Sequence, residues 1–195
     1  MSDYLVDYIQ PVHDAVKSLT LEELADGRAW WDDAKHQVRD LAEIAGVDYI
    51  RMAYAVAAAS PGIAWSGTLR TVSRLVGLML DGKPLVLGPG SGIESLGHRP
   101  AQTAWAILNG GDLSLCRGPK VTALAANLNG NMHKVTVDRH IIRIATGDNR
   151  QQVGLKRLEA IQVAVMTAAY VYEVEPALVM AALWIRSAKD GGSHG

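Results

Sequence analysis

Cysteine is nearly missing from this sequence. Cys116 is the only one in 195 residues, which excludes an intrachain disulfide, a cysteine-ligated zinc site and an iron–sulfur cluster. Strong charge of one sign is missing too: the formal net charge is −1, which argues against a protein that coats nucleic acid indiscriminately. The longest nearly apolar run, "IQVAVMTAAYVY", is short and interrupted, whereas a membrane span takes about 20 residues. Period-two alternation is confined to "KVTV", too little for a sheet. There is no internal repeat, no GK[ST] beside "GPGSG" and no G-x-S-x-G elbow around "AASPG", so neither a P-loop nor a serine hydrolase is indicated. His133 and His140 lack a supporting carboxylate or cysteine cluster, so no metal site is expected. The opening "MSDYLVDYIQ" carries acids where a secretory leader needs a basic region. The expectation is a soluble cytoplasmic protein with no metal, no other cofactor and no membrane partner.

What the chain does contain is helical pattern. Its length suits one globular domain or two small subdomains sharing a core, and is enough to bury that core without staples, with residues 1 to 190 as a compact helical domain and "GGSHG", 191 to 195, as a tail. "LTLEELADGRAWWDDAKHQVRDLAEIAG" opens with a capping box from Thr20 to Glu23 and stops at Gly46, where a left-handed cap meets no steric penalty. "VDYIRMAYAVAAAS" is apolar around nearly its whole circumference and ends before Pro61, which suits a central buried helix. "SGTLRTVSRLVGLMLDGK" returns to an amphipathic pattern, and the glycine-rich residues 81 to 98 read as a surface loop. Helical spacing resumes at "RPAQTAWAILNG", "GPKVTALAANLNG", "DRHIIRIATG", "QQVGLKRLEAIQVAVMTAAYVYEV" and "EPALVMAALWIRSA". The class predicted is all-α, with roughly seven to nine helices.

The near-neutral average conceals a gradient. Residues 1 to 50 hold eleven acids against four Lys and Arg. Between Arg117 and Arg157 the balance reverses: Arg117, Lys120, Lys134, Arg139, Arg143, Arg150, Lys156 and Arg157 face only Asp138 and Asp148. A solvated basic face and a phosphate-binding one both fit such a run.

Within that run, "RGPK" puts Gly118 in a tight turn, Pro119 at the start of a helix and Lys120 in its first turn. A basic side chain beside unpaired backbone N–H groups disfavours the helix but suits a phosphate or an anionic intermediate. Asp138 follows Lys120 by 18 residues and leads the next helix. By itself it reads as a cap.

The pair, its spacing and its surroundings resemble the helix-hairpin-helix DNA glycosylase superfamily. In that family a hairpin of the form L-P-G-V-G-x-K-T-A precedes a helix, and a V-D-T-H-V/I-x-R-V/I segment follows; here they stand as "LCRGPKVTA" and "VDRHIIRI". The likeness covers residues 113 to 146 and extends more faintly to "AVAAASPGIAWSGTLRTVSRLVG". It implies a two-lobed helical bundle with the substrate cleft between the lobes, acting as a monomer on DNA, either a duplex with a flipped base or a single strand. It also implies that Asp138 is the essential carboxylate and that Lys120 is the amine with which bifunctional members attack the sugar. Gly118 matches the hairpin glycine beside the amides that hold a phosphate. Arg117, Lys134, Arg139, His140 and Arg143 are the other candidate phosphate contacts. His140 is also an acid–base candidate, and the reading preferred for it is a packed residue that fixes its helix. Ser60 and Trp65 are the candidates for the base pocket, and Trp65 also suits a core position.

The departures bear on substrate. Cys116 replaces the first hairpin glycine, Arg117 an apolar residue and Arg139 the threonine, and the four-cysteine cluster of some relatives is absent. An atypical hairpin in a compact chain resembles phage-associated members, which points to modified bases and to phage–host conflict. Two alternatives use the same residues. One is a transferase that hypermodifies a 5-hydroxymethyl pyrimidine with Asp138 assisting. The other is a non-catalytic helical DNA-binding module in which Lys120 only contacts phosphate.

Overall fold

A computed structural model describes residues 3 to 93, 98 to 148 and 153 to 190. Arg150, residues 94 to 97 of the glycine-rich stretch and the tail at 191 to 195 lie outside the described residues. The class is all-α: among the described residues there is no strand, and nine α-helices follow one another. These are α1 (Asp3–Lys17), α2 (Leu21–Ala45), α3 (Tyr49–Ala59), α4 (Trp65–Leu80), α5 (His98–Leu108), α6 (Pro119–Leu128), α7 (Arg139–Thr146), α8 (Leu155–Val171) and α9 (Pro176–Asp190). A single 3-10 turn, Leu113–Leu115, precedes α6.

The two caps of α2 read from sequence form as expected, and α3 gains one that was not read. Thr20 accepts from the Glu23 amide at 3.1 Å while Glu23 accepts from the Thr20 amide at 2.8 Å, so α2 begins with two orphan donors satisfied. Gly46 closes α2 at φ 65°, and the Val47 amide reaches back to the Ala42 carbonyl at 3.1 Å. Asp48 caps α3 by accepting from the Arg51 amide at 2.8 Å. The described part of the glycine-rich stretch, residues 81 to 93, is without helix and mostly exposed.

The helix α1 is absent from the sequence reading. Pro11 lies inside it, and an interior proline ordinarily marks a break because it removes one backbone hydrogen bond and crowds the preceding turn. Tyr8, Val12 and Val16, spaced four apart, are all buried, so one apolar stripe holds the helix on the core despite that loss.

The chain divides into two compact units, Met1–Asp33 with Gly130–Gly195, and Ala34–Asn129. In the first, α1 packs chiefly on α8, and α7 and α9 complete the layer. Its core joins Val12 and Val16 with Ile141, Ile161, Val165, Val179 and Leu183. Here α2 contributes Gly27, whose position leaves no room for a side chain: a Cβ there would lie 2.8 Å from the Leu178 carbonyl oxygen and 3.0 Å from the Ala182 amide.

In the second unit α3 is the central element, packed by α4, α5 and α6. Its run Ala55 to Ala59 is buried throughout, the small side chains allowing close helix approach. The connection after α5 is tied to α3 by Arg51, whose Nη1 donates to the Ile107 and Gly111 carbonyls at 2.7 and 2.9 Å. That anchor positions the turn leading into α6.

Candidate functional site

The segment leading into α6 starts from Asp112, which accepts from the Ser114 amide at 2.6 Å and so opens the 3-10 turn. That hydrogen bond holds the Asp112 carboxyl below its ordinary range. Cys116 follows at φ −74° with its side chain buried, a backbone conformation open to any L-residue. Glycine is therefore not required there. The thiol lies 3.8 Å from the Tyr54 carbonyl, and burial pushes it up to about 11. Arg117 is exposed and donates through Nε to the Ser114 carbonyl at 3.2 Å.

Gly118 is the position where glycine is needed. Its φ of 101° is strained for any residue with a Cβ, and it turns the chain so that Pro119 begins α6. The Gly118 carbonyl then accepts from the Thr122 amide and hydroxyl, both at 3.0 Å. Lys120, half-buried in the first turn, makes no hydrogen bond or ion pair among the described residues. The first-turn amides of α6 also lack intrahelical partners.

Ser60 and Trp65 belong to the same unit. Ser60 ends α3, is buried, and donates its hydroxyl to the Ala57 carbonyl at 2.9 Å. Trp65 begins α4 half-buried, with Nε1 donating to Gln37 Oε1 at 2.8 Å. Both side chains are thus engaged with their own unit.

Asp138 lies in the other unit. The short extended piece ending at Val137 buries Val135 and Val137 in the core, which delivers Asp138 to the start of α7. Its Oδ1 accepts from the His140 and Ile141 amides at 2.9 and 3.1 Å. Oδ2 accepts no hydrogen bond among the described residues, and the side chain is half-buried. One oxygen caps the helix and the other remains available.

Around it, α7 presents a cluster that sequence reasoning foresaw only in part. His140 Nδ1 lies 2.9 Å from Ser187 Oγ, and Arg143 Nη2 donates to the same hydroxyl. The His140 ring stands edge-on to Trp184, centroids 6.4 Å apart at 90°, and Trp184 leans on Trp30 at 5.6 Å. His140 is thus packed and bonded through its ring, while its backbone amide is held by the Asp138 carboxylate. Ser187 and Trp30 were missed. The signal was the matching i, i+3 spacing of His140 and Arg143 on α7 and of Trp184 and Ser187 on α9, which presents paired groups on one face of each helix.

Arg139 is exposed, with Nε 3.5 Å from His140 Nε2, and Lys134 is exposed before the extended piece. The amides at the N-terminus of α7 are already taken by the Asp138 carboxylate, whose charge suits the positive end of the helix. Among the described residues no three His, Cys, Asp or Glu side chains gather as a metal site would require. No single described helix is long and apolar enough to cross a membrane, and α8 and α9 bend by 105° at their junction.

Comparison with curated proteins and with solved structures gives no match. A family model does match, over residues 4–190, and the chain belongs to that family, a family of unknown function designated DUF7178.

Proposed function

We propose that this protein is a DNA glycosylase that flips out a damaged or modified base and cleaves its N-glycosidic bond, with Asp138 as the essential carboxylate. The observation that carries the reading is the divided carboxylate of Asp138, whose Oδ1 is fixed by two amides while Oδ2 has no partner among the described residues. Breaking the bond sends its electron pair to the departing base and builds positive charge on the sugar, which a preoriented carboxylate stabilises. Water, or the neutral amine of Lys120, then forms the new bond at C1′. Lys120 is half-buried with no partner among the described residues, a setting that supports either this nucleophile or a phosphate clamp. The left-handed turn at Gly118 presents the amides expected to hold a backbone phosphate.

The test is incubation with duplexes and single strands carrying damaged and hypermodified bases, followed by borohydride trapping. Release of a free base, abolished by Asp138→Asn, is the expected result. Asparagine is as good a helix cap as aspartate, so that substitution removes the charge and spares the fold. A trapped covalent adduct lost in Lys120→Ala assigns the amine as nucleophile. If no substrate yields an abasic site, the reading fails. Nucleoside mass spectrometry separates the transferase alternative, which leaves a heavier nucleoside in the DNA.

A second reading has its own observation. Asp138 caps α7 while His140 and Arg143 are both bonded to Ser187, which suits a rigid, non-catalytic DNA-binding module. It predicts binding that weakens steeply with salt, no released base, and no effect of Asp138→Asn on affinity.

A further inference from the structure

The Ser187 hydroxyl has one proton to give and, among the described residues, one acceptor to receive it. Arg143 Nη2 donates to its Oγ, and a guanidinium has no lone pair to offer in return. Ser60 gives its proton to the Ala57 carbonyl of its own helix, but Ser187 makes no such bond among the described residues. Its other hydrogen-bonding neighbour there is His140 Nδ1, at 2.9 Å. Ser187 is 7% exposed, so a hydroxyl proton without an acceptor would be stranded away from water, which buried polar groups avoid.

The two possible directions of the Ser187–His140 bond leave different groups unsatisfied. If His140 carried its proton on Nδ1 and gave it to Oγ, the Ser187 proton would have no acceptor among the described residues. Nε2 would then accept from Arg139 Nε across 3.5 Å. That separation is at the limit of a hydrogen bond, and Arg139 is exposed, so water replaces the contact at little cost. If instead Ser187 donates to Nδ1, the buried hydroxyl both accepts and donates. The buried group decides the direction, because leaving it unpaired costs more than a long, exposed bond returns.

We propose that Ser187 is a positioning residue: oriented by Arg143, its hydroxyl donates to His140 Nδ1 and fixes the neutral imidazole as the Nε2–H tautomer. The lone pair of Nδ1 is then engaged and Nε2 already carries a proton, so the ring meets a ligand as a hydrogen-bond donor. Burial keeps the Ser187 oxygen off a substrate, so it acts through the ring. For catalysis the consequence rests on the glycosylase reading: the proton acceptor of the site is the Asp138 carboxylate, and His140 is excluded from that role.

Two-bond proton–nitrogen NMR of the nitrogen-15-labelled full chain tests the tautomer at about pH 8, where an ordinary histidine is neutral. The His140 signals are assigned by their loss in His140→Gln. The expected result is one tautomer, with the proton on Nε2, and in Ser187→Ala a shift of both ring nitrogens towards the averaged values of the exposed His133. A proton on Nδ1 in the wild type overturns the proposal, as does a Ser187→Ala spectrum unchanged from wild type. The catalytic consequence is read from the pH profile of base release, which should contain no limb that His140→Gln removes. A limb in the ordinary histidine range that vanishes in that variant makes the ring a proton acceptor and overturns the assignment. If no base is released from any substrate, the glycosylase reading fails, while the NMR spectrum of the protein alone still decides the tautomer.

Discussion

Cys116 and Gly118 sit two residues apart and obey opposite rules. Cys116 has an ordinary φ of −74°, so the turn needs no glycine at that position. Gly118, at φ 101°, tolerates no such change without strain. Burial also disarms the thiol: with its titration pushed up to about 11, almost no thiolate exists near neutrality to react. At about pH 8 the folded protein should therefore react with a disulfide reagent at least about tenfold slower than the urea-unfolded chain. Equal rates would show that the side chain is accessible. Asp138 was legible from sequence both as a cap and as a candidate carboxylate. That one oxygen is held by two amides while the other has no partner among the described residues was not, because the direction of each lone pair depends on where α7 turns.

Helices show why some elements were readable and others were not. The capping box of α2 is a local contract between Thr20 and Glu23, and α3 announces itself by its alanines. By contrast α1 was hidden by Pro11, and the end of α8 was misplaced because no glycine marks it. Sequence spacing carries the helix pattern through Val174, whereas the helix stops at Val171 and Glu173 takes the left-handed region at φ 54°, with the Val174 amide reaching back to the Ala169 carbonyl at 2.9 Å as in a glycine-type cap. Close packing of α2 on α9 makes a prediction about glycine. Alanine at position 27 improves helix propensity by about 1 kcal/mol, but its Cβ would meet backbone at 2.8 and 3.0 Å. Gly27→Ala should therefore lose about 1–3 kcal/mol. Gly77, within α4, has nothing within 4 Å of a Cβ, and Gly77→Ala should gain about 0.5–1 kcal/mol. Thermal melting of both variants checks the opposite signs; a stabilised Gly27→Ala would contradict the close approach.

Over the whole molecule, the acidic first segment finds its use in the fold rather than in the site. Glu23 takes both Nε and Nη2 of Arg186, 163 residues away in sequence, and this bidentate pair ties the start of α2 to the end of α9. The Arg186 hydrogen bond, with the Thr20 amide, lowers the Glu23 carboxyl from 4.5 to about 2. A carboxyl depressed by folding contributes stability that is fully present above its unfolded value and is lost as pH falls to the folded one. Glu23→Gln should thus be less stable than wild type in urea titrations at neutral pH, and the gap should close between pH 4.5 and about 2. A gap that stays constant through that window would remove the ion pair from the account. Composition and periodicity sufficed for the all-α class, for most helix positions, for the α2 caps and for the basic stretch around Asp138, because each depends on residues within one or two turns. The burial of Cys116, the Ser187 that joins His140 to Arg143 and the Glu23–Arg186 tie were decided only by tertiary structure. Each depends on which distant side chain arrives opposite, and helical periodicity is silent about partners.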